Sequence, residues 1–466
     1  MSTSFPKKNK VDLAEYDYRK DIENRLLMAT FTSLEVDVLR EILNNSLQFT
    51  IRQLQDSLEV ETFSIIEALN KITRTKLIRM NGSVVFVDKE MRKYYELQIL
   101  KFDDGFELGM EFLQGLLSKV PIHVLPLWYN ITRLNDNIFC SIVEKYLLTP
   151  KIYERHLIEA ALENEMFARI YQDVCNSPAL EVSAKEIMEK YSLSHERFEE
   201  YMLLLEYNFI CCLSYRRKGE SWEEVVTPFV EWKEYLLFLT HNTSKTIQDA
   251  STIVRAHPDD FGFAQDMTAV LQALPLPIER KENEKDFTLS NPTGISVLPR
   301  FQSLPAPETH FKNVICQIIS LNLADVKGSN LCIKSEGKQW LKMSLQDQAL
   351  LLYRHSVQSV STAEMTDKDM REVERGLKKI ARSGWIYLDD FIRGFTAPIG
   401  TLEHVTLRNR GKKWKYMLPF YADHERKIIE KTLEGRLFQA GMIAMGIHMD
   451  KKCFMVTPFG RMSLGD

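Results

Sequence analysis

The chain has 466 residues, 45% of them hydrophobic and 27% charged, with a formal net charge of -4. That length exceeds what one core supports and predicts several domains of roughly 100 to 150 residues each. The acidic balance excludes a protein that coats nucleic acid by bulk charge, so any polyanion-binding surface has to be local.

The seven cysteines form no C-x-x-C pair, and no histidine cluster has ligand spacing along the chain, so neither a disulfide framework nor a metal site is expected. Residues 1–20 mix Lys7, Lys8 and Lys10 with Asp12, Glu15 and Asp17 and lack the apolar stretch of a cleaved signal. No segment approaches the ~18 apolar residues of a bilayer span. A cytoplasmic protein with no membrane contact is expected.

The first module covers 21–95. Thr32-Ser33 can cap a helix with Leu34, Val38, Ile42 and Leu43 on one face, and Thr50 a second with Ile51, Leu54 and Leu58. The spacing predicts a third helix that turns Phe63, Ile66, Leu69 and Ile72 inward. Leu77 to Met80 and Ser83 to Val87 flank Asn81-Gly82, which predicts a type I′ hairpin, because that turn needs positive φ at both central residues. Three helices followed by a hairpin read as a winged helix.

Residues 96–176 read as a helical spacer with Trp128 and Tyr129 buried. A second winged helix is expected over 177–272: Ser183 and Ser194 cap two helices, Phe198, Tyr201, Leu204 and Leu205 face inward, and a basic turn at Arg216-Arg217-Lys218-Gly219 precedes a return strand. Six prolines between Leu274 and Thr309 and the charged run Glu279 to Asp286 mark 273–309 as a Pro-rich joint. A hairpin of Phe287 to Leu289 with Ile295 to Leu298 can lie within it. Two further winged-helix-like units follow at 310–400 and 401–466. The fold class is therefore mostly α with small β-wings (α+β), as tandem winged-helix units. An internal echo supports the repetition: Val226-Thr227-Pro228-Phe229 recurs as Val456-Thr457-Pro458-Phe459.

Candidate contacts to nucleic acid follow from that frame. The third helix of the first module is expected to point Thr62, Ser64, Glu67, Asn70, Lys71 and Arg74 outward, with Lys76, Arg79, Lys89, Arg92 and Lys93 on the wing side. Asn, Lys and Arg on a slim helix can reach base edges, and cations on a wing meet phosphates. Glu59, Glu61 and Glu67 oppose this by repelling phosphate. A second set is Arg216, Arg217 and Lys218. The third is Arg408, Arg410, Lys412, Lys413 and Lys415, where Trp414 and Tyr416 interleave in the manner of a surface for phosphates or stacked bases.

Signatures of enzymes are missing: no G-x-x-x-x-G-K-[ST], G-x-G-x-x-G, H-E-x-x-H or G-x-S-x-G occurs. No catalytic residue, metal ligand or cofactor is assigned. His257-Pro258-Asp259-Asp260 reads as a surface turn, Asp103-Asp104 and Asp389-Asp390 as capping pairs, and Gly441 to Met445 as core.

Lys334-Ser335-Glu336-Gly337-Lys338-Gln339-Trp340-Leu341 and Val456-Thr457-Pro458-Phe459-Gly460-Arg461 resemble the helicase-associated domain that bacterial proteins share with the XPB-type helicases. That family runs tandem winged-helix-like units with a T-P-x-G-R-x-x-L exit into a helix, and Thr457 to Leu464 fits it. Phe287 to Pro299 is also similar to a segment of it. The likeness covers about the C-terminal third and departs at Ser335-Glu336, where Thr-Pro is the family pattern; Val226 to Phe229 lacks the following Gly-Arg. The ATPase motor of those helicases is absent from the sequence, so the resemblance implies an accessory protein without unwinding activity. The leading expectation is a non-enzymatic, DNA-binding or transcription-associated protein, with DNA as its partner. The alternative is a protein-protein adaptor whose winged helices dock partner proteins, favoured by the net negative charge and Glu67.

Overall fold

The computed structural model describes residues 11–103, 105–132, 137–277, 279–280, 287–288, 307–359, 366–411 and 413–465. The chain is mostly helical with several small antiparallel sheets, an α+β protein. It divides into two compact units, Met1–Leu237 with Thr406–Met417, and Phe238–Val405 with Leu418–Asp466. Among the described residues no helix is long and apolar enough to cross a membrane.

The first unit opens with α1 (Tyr18–Met28) and α2 (Ser33–Asn44), the latter held by a capping box between Thr32 and Glu35. Strand β1 (Gln48–Thr50) leads through a second capping box, Thr50 with Gln53, into α3 (Ile51–Leu58) and then α4 (Thr62–Ile72). Strands β2 (Ile78–Asn81) and β3 (Val84–Val87) form the hairpin, and β1 pairs with β3. The turn differs from the one expected. Asn81 already pairs with Val84, so Gly82 and Ser83 are the central residues and, of the two, only Gly82 has positive φ. Glycine at the first central position suits a II′ pattern, which asks for positive φ once.

A second correction concerns α4. Ile65, Ala68, Leu69 and Ile72 are its buried face, whereas Phe63 is 70% and Ile66 37% exposed. Two helical stripes share Leu69 and Ile72, and spacing alone does not choose between them. Packing chose the stripe that contains the small Ala68.

After α5 (Lys89–Gln98) come α6 (Met110–Leu117), α7 (Leu125–Trp128), α8 (Ile138–Tyr146), α9 (Pro150–Glu163) and α10 (Glu165–Asn176), with Trp128 and Tyr129 buried as expected. Strand β4 (Val182–Ser183), α11 (Ala184–Tyr191) and α12 (His195–Tyr207) precede the hairpin of β5 (Cys212–Lys218) and β6 (Ser221–Thr227), and β4 pairs with β6. Gly219, at positive φ, lies in the turn, so Arg216 to Lys218 occupy β5. The strands Leu407–Arg410 and Lys413–Tyr416 also belong to this unit: Leu407 N–H donates to the Leu148 carbonyl (2.7 Å) and the Tyr416 hydroxyl to the Leu147 carbonyl (2.7 Å).

The second unit contains β7 (Val254–Arg255), α13 (Gly262–Ala273), β8 (Leu276–Pro277) and the pair β9 (Glu279–Arg280) with β10 (Phe287–Thr288). The described partner of Phe287 and Thr288 is thus Glu279–Arg280; Ile295 to Leu298 and most of 273–309 lie outside the described residues. Helix α14 (Pro307–Ser320) enters the hairpin of β11 (Ala324–Lys327) and β12 (Asn330–Ile333), and β8 pairs with β12. After the helices Ser335–Trp340 and Leu345–Ser359 come α15 (Asp367–Lys378), β13 (Ile386–Tyr387), α16 (Leu388–Gly394) and α17 (Asp423–Lys431). The hairpin of β14 (Ile443–His448) and β15 (Lys451–Val456) follows, with β13 paired to β15 and β7 to β14.

Among the described residues one arrangement therefore occurs four times: a short strand, one or more helices, and a hairpin whose second strand pairs with the short strand (β1 with β3, β4 with β6, β8 with β12, β13 with β15). The repeated tetrapeptide sits at the same place in two copies, where the second hairpin strand ends. Thr457 caps the final helix, Pro458–Leu464, by accepting from Gly460 N–H at 3.0 Å. A Cβ at Gly460 would collide with the Met442 carbonyl, so the glycine lets the helix lie on the preceding strand entrance.

Candidate functional site

The first set of candidates runs from the end of helix α4, with Asn70 and Lys71, through the turn that carries Arg74 and Lys76 to Arg79 in β2. Asn70, Arg74, Lys76 and Arg79 are exposed, and among the described residues Arg74, Lys76 and Arg79 have no ion-pair partner. Lys71 is different: it donates to Glu35 Oε2 (2.7 Å) and to the Thr30 carbonyl (2.7 Å) and lies over the Phe31 ring. Arg92 is likewise engaged, by the carbonyls of Leu43 and Asn45 and by Glu96. The outer face of α4 thus consists of Phe63, Ile66, Glu67 and Asn70, with Glu59 and Glu61 exposed just before it.

The other basic sets are partly neutralised. Arg216 pairs with Glu181 (2.8 Å) and Lys218 with Glu223 (3.3 Å), while Arg217 is exposed and donates to the Gly219 carbonyl of its own turn. Lys415 pairs with Glu234 (3.0 Å) and Arg408 donates to the Thr406 hydroxyl (3.2 Å). Arg410 and Lys413 are exposed and opposite each other in register; Lys412 lies outside the described residues. The aromatic residues between them are consumed by packing. Trp414 is half-buried and meets Phe139 in a T-shaped contact (5.9 Å), and Tyr416 is buried and offers no face for a base.

Sequence spacing missed a buried ionic cluster. Arg25 of α1 donates Nε to Glu199 (2.6 Å) and Nη1 to Glu206 (2.8 Å), both on α12, and Lys101 reaches Glu206 at 3.3 Å. Asp21 is held by Lys119 (3.4 Å) and by the Tyr94 hydroxyl (2.5 Å). Burial alone would raise Glu206, yet Arg25 and Lys101 bring it down to about 2. Glu199 moves the other way: burial raises it, Arg25 opposes, and the nearby Glu224 carboxylate adds to the rise. The one signal available was the seven-residue spacing of Glu199 and Glu206, which sets two carboxylates on the otherwise apolar buried face of the helix.

Among the described residues two groups have the donors to hold a metal ion. His195, Glu199 and Glu224 each place a ligand atom within 4.8 Å of the other two, and so do His257, Asp266 and His310. The second group corrects the surface-turn reading for His257 alone, since Pro258 and Asp259 are exposed in a bend. His257 is buried, its Nδ1 3.5 Å from Asp266 Oδ2, and His310 Nε2 is 2.8 Å from the same oxygen. Gly262 makes room for it, since a Cβ there would strike the imidazole, whose other face stacks on Phe438.

A cavity of about 410 Å³ in the second unit is lined by Arg375, Lys379, Phe391 and Phe395, with Arg375 paired to Glu372. Burial pushes the thiols of Cys211 and Cys212 well up and that of Cys453 to about 11, which keeps these sulfurs protonated and unreactive. No family model, curated protein or solved structure matches this chain.

Proposed function

We propose that the chain is a non-enzymatic docking protein made of four winged-helix units, the first of which presents α4 to a partner protein. The recurring strand pairing supports the winged-helix reading, as does the T-P-x-G-R exit at Thr457 to Arg461. The observation that carries the docking role is Phe63, 70% exposed beside Ile66 on the outer face of the helix that enters the first hairpin. Water-facing aromatic and aliphatic side chains on such a helix suit an apolar protein segment better than a phosphate backbone. Glu59, Glu61 and Glu67 around them suit a partner with a basic rim. Exposed Ile158 and Leu162, one turn apart on α9, fit the same class of function.

A second reading, DNA binding, is favoured by the exposed and unpaired Arg74, Lys76 and Arg79 beside Asn70. Under it, log K falls by about 0.9 per neutralised phosphate for each unit of log salt.

Two variant sets separate the readings. Phe63→Asp with Ile66→Asp abolishes a stoichiometric complex with a partner captured by wild type and then shown to bind as purified protein, while Arg74→Glu, Lys76→Glu and Arg79→Glu together leave it intact. The reverse pattern, with salt-dependent binding to duplex DNA, overturns docking in favour of nucleic acid.

A further inference from the structure

We propose that His195, Glu199 and Glu224 form a site for a divalent first-row transition-metal cation that clasps α12 to β6. The residue types and their placement fit the role. His195 and Glu199 stand four residues apart, on one face of α12, and β6 brings Glu224 to them, with ligand atoms mutually within 4.8 Å. An imidazole with two carboxylates is a donor set for Zn²⁺, Mn²⁺ or Fe²⁺ and a poor one for soft, thiolate-seeking ions.

An independent observation points to the same ligand. Glu199 is fully buried and the Glu224 side chain 9% exposed, and each keeps its Oε1 atom buried without a hydrogen bond. A buried carboxylate oxygen without a donor is costly, and coordination of a cation by these carboxylates offsets that cost. Around α12 four carboxylates (Asp21, Glu199, Glu206, Glu224) face the cations Arg25, Lys101 and Lys119 and the imidazole of His195, so a cation that replaces the imidazolium proton keeps the cluster compensated.

The surroundings resemble a supporting outer shell. Glu199 already spends Oε2 on Arg25 Nε (2.6 Å), which fixes its carboxylate and leaves Oε1 for a ligand. His195 Nε2 sits 2.8 Å from Glu224 Oε2, so a proton shared there stands in the place of the metal. The His195 side chain is 37% exposed, which gives an ion a way in from solvent.

The test uses the full chain, stripped with EDTA and titrated with Zn²⁺ by calorimetry, with Co²⁺ as a spectroscopic probe. Wild type takes up one equivalent whose affinity falls at least tenfold in His195→Gln and in Glu224→Gln, and the visible Co²⁺ bands change in both. His257→Gln, which removes the rival histidine group, leaves that equivalent in place. His195 is half-exposed, so its variant folds even if a buried substitution fails. Absence of binding at millimolar Zn²⁺, equal binding in wild type and both site variants, or loss only in His257→Gln overturns the proposal. So does a His195 imidazole that titrates identically by NMR with and without the metal, since the contact with Glu224 is then a plain proton-mediated pair.

Discussion

Helices α4 and α12 hold the same place in two copies of one arrangement, each leading into a hairpin, yet their chemistry is inverted. Helix α4 turns Phe63 and Ile66 to water and keeps only aliphatic side chains inside. Helix α12 buries Glu199 and Glu206 among Phe198, Met202, Leu203 and Leu205. A shared architecture therefore leaves the outward and inward faces free to diverge. The first copy has a surface suited to a partner; the second uses its helix to anchor α1 through Arg25.

That contrast can be broken most severely at Arg25. Arg25→Met leaves two carboxylates buried without their guanidinium and costs about 3 to 5 kcal/mol by urea unfolding. Glu206, lowered from its ordinary value to about 2, contributes stability that is present above about pH 4.5 and lost as pH falls toward 2. The deficit of the variant relative to wild type is therefore largest at neutral pH and narrows as pH falls toward 2 and the carboxylates become neutral. A variant as stable as wild type would remove the anchoring role.

The phase of α4 comes next. Ile65→Ala costs about 2 to 4 kcal/mol because it opens a cavity, whereas Ile66→Ala changes stability by no more than about 0.5 kcal/mol. Equal effects in thermal melts would restore the inward stripe of Phe63 and Ile66.

Glu231 offers a pH-dependent version of the buried-acid theme. Burial raises it to about 7, and its Oε1 accepts from Met110 N–H at 2.8 Å. The native state retains a proton that the unfolded chain has lost, so stability declines between about pH 4.5 and 7 and the ionised group costs about 3 kcal/mol above that. Glu231→Gln keeps an acceptor, gains stability at pH 8 and is near neutral at pH 4.5; a gain independent of pH would contradict the assignment.

The smallest effect is at Lys71. Lys71→Met removes a half-buried pair worth at most about 1 kcal/mol and leaves any DNA affinity unchanged. A large loss of DNA binding would mean that Lys71 leaves Glu35 to meet phosphate.

Legibility of the sequence followed the range of the interactions involved. The helix starts at Thr32, Thr50 and Ser194 and the glycine of the first hairpin were readable because caps and turns are set within four residues. The exact turn centre was not, since Asn81 and Gly82 both suit a turn and the β1 pairing fixed the register. Of the candidate cations, Lys218 has its partner Glu223 within the same hairpin, but those of Lys71, Arg216 and Lys415 lie between about 35 and about 180 positions away, and no local pattern announces a partner at such separation. The same holds for Glu224 beside His195 and for His310 beside Asp266.

By itself the sequence determined the class of fold, the local capping at Thr32, Thr50 and Ser194, and the recurrence of a unit marked by Val226 to Phe229 and Val456 to Phe459, because these depend on neighbours along the chain. Only the tertiary structure decided which stripe of α4 faces water, which cations are already spent, and which acids share a buried pocket. Those outcomes depend on desolvation and on charges brought together from distant segments, and both exist only once the chain has packed.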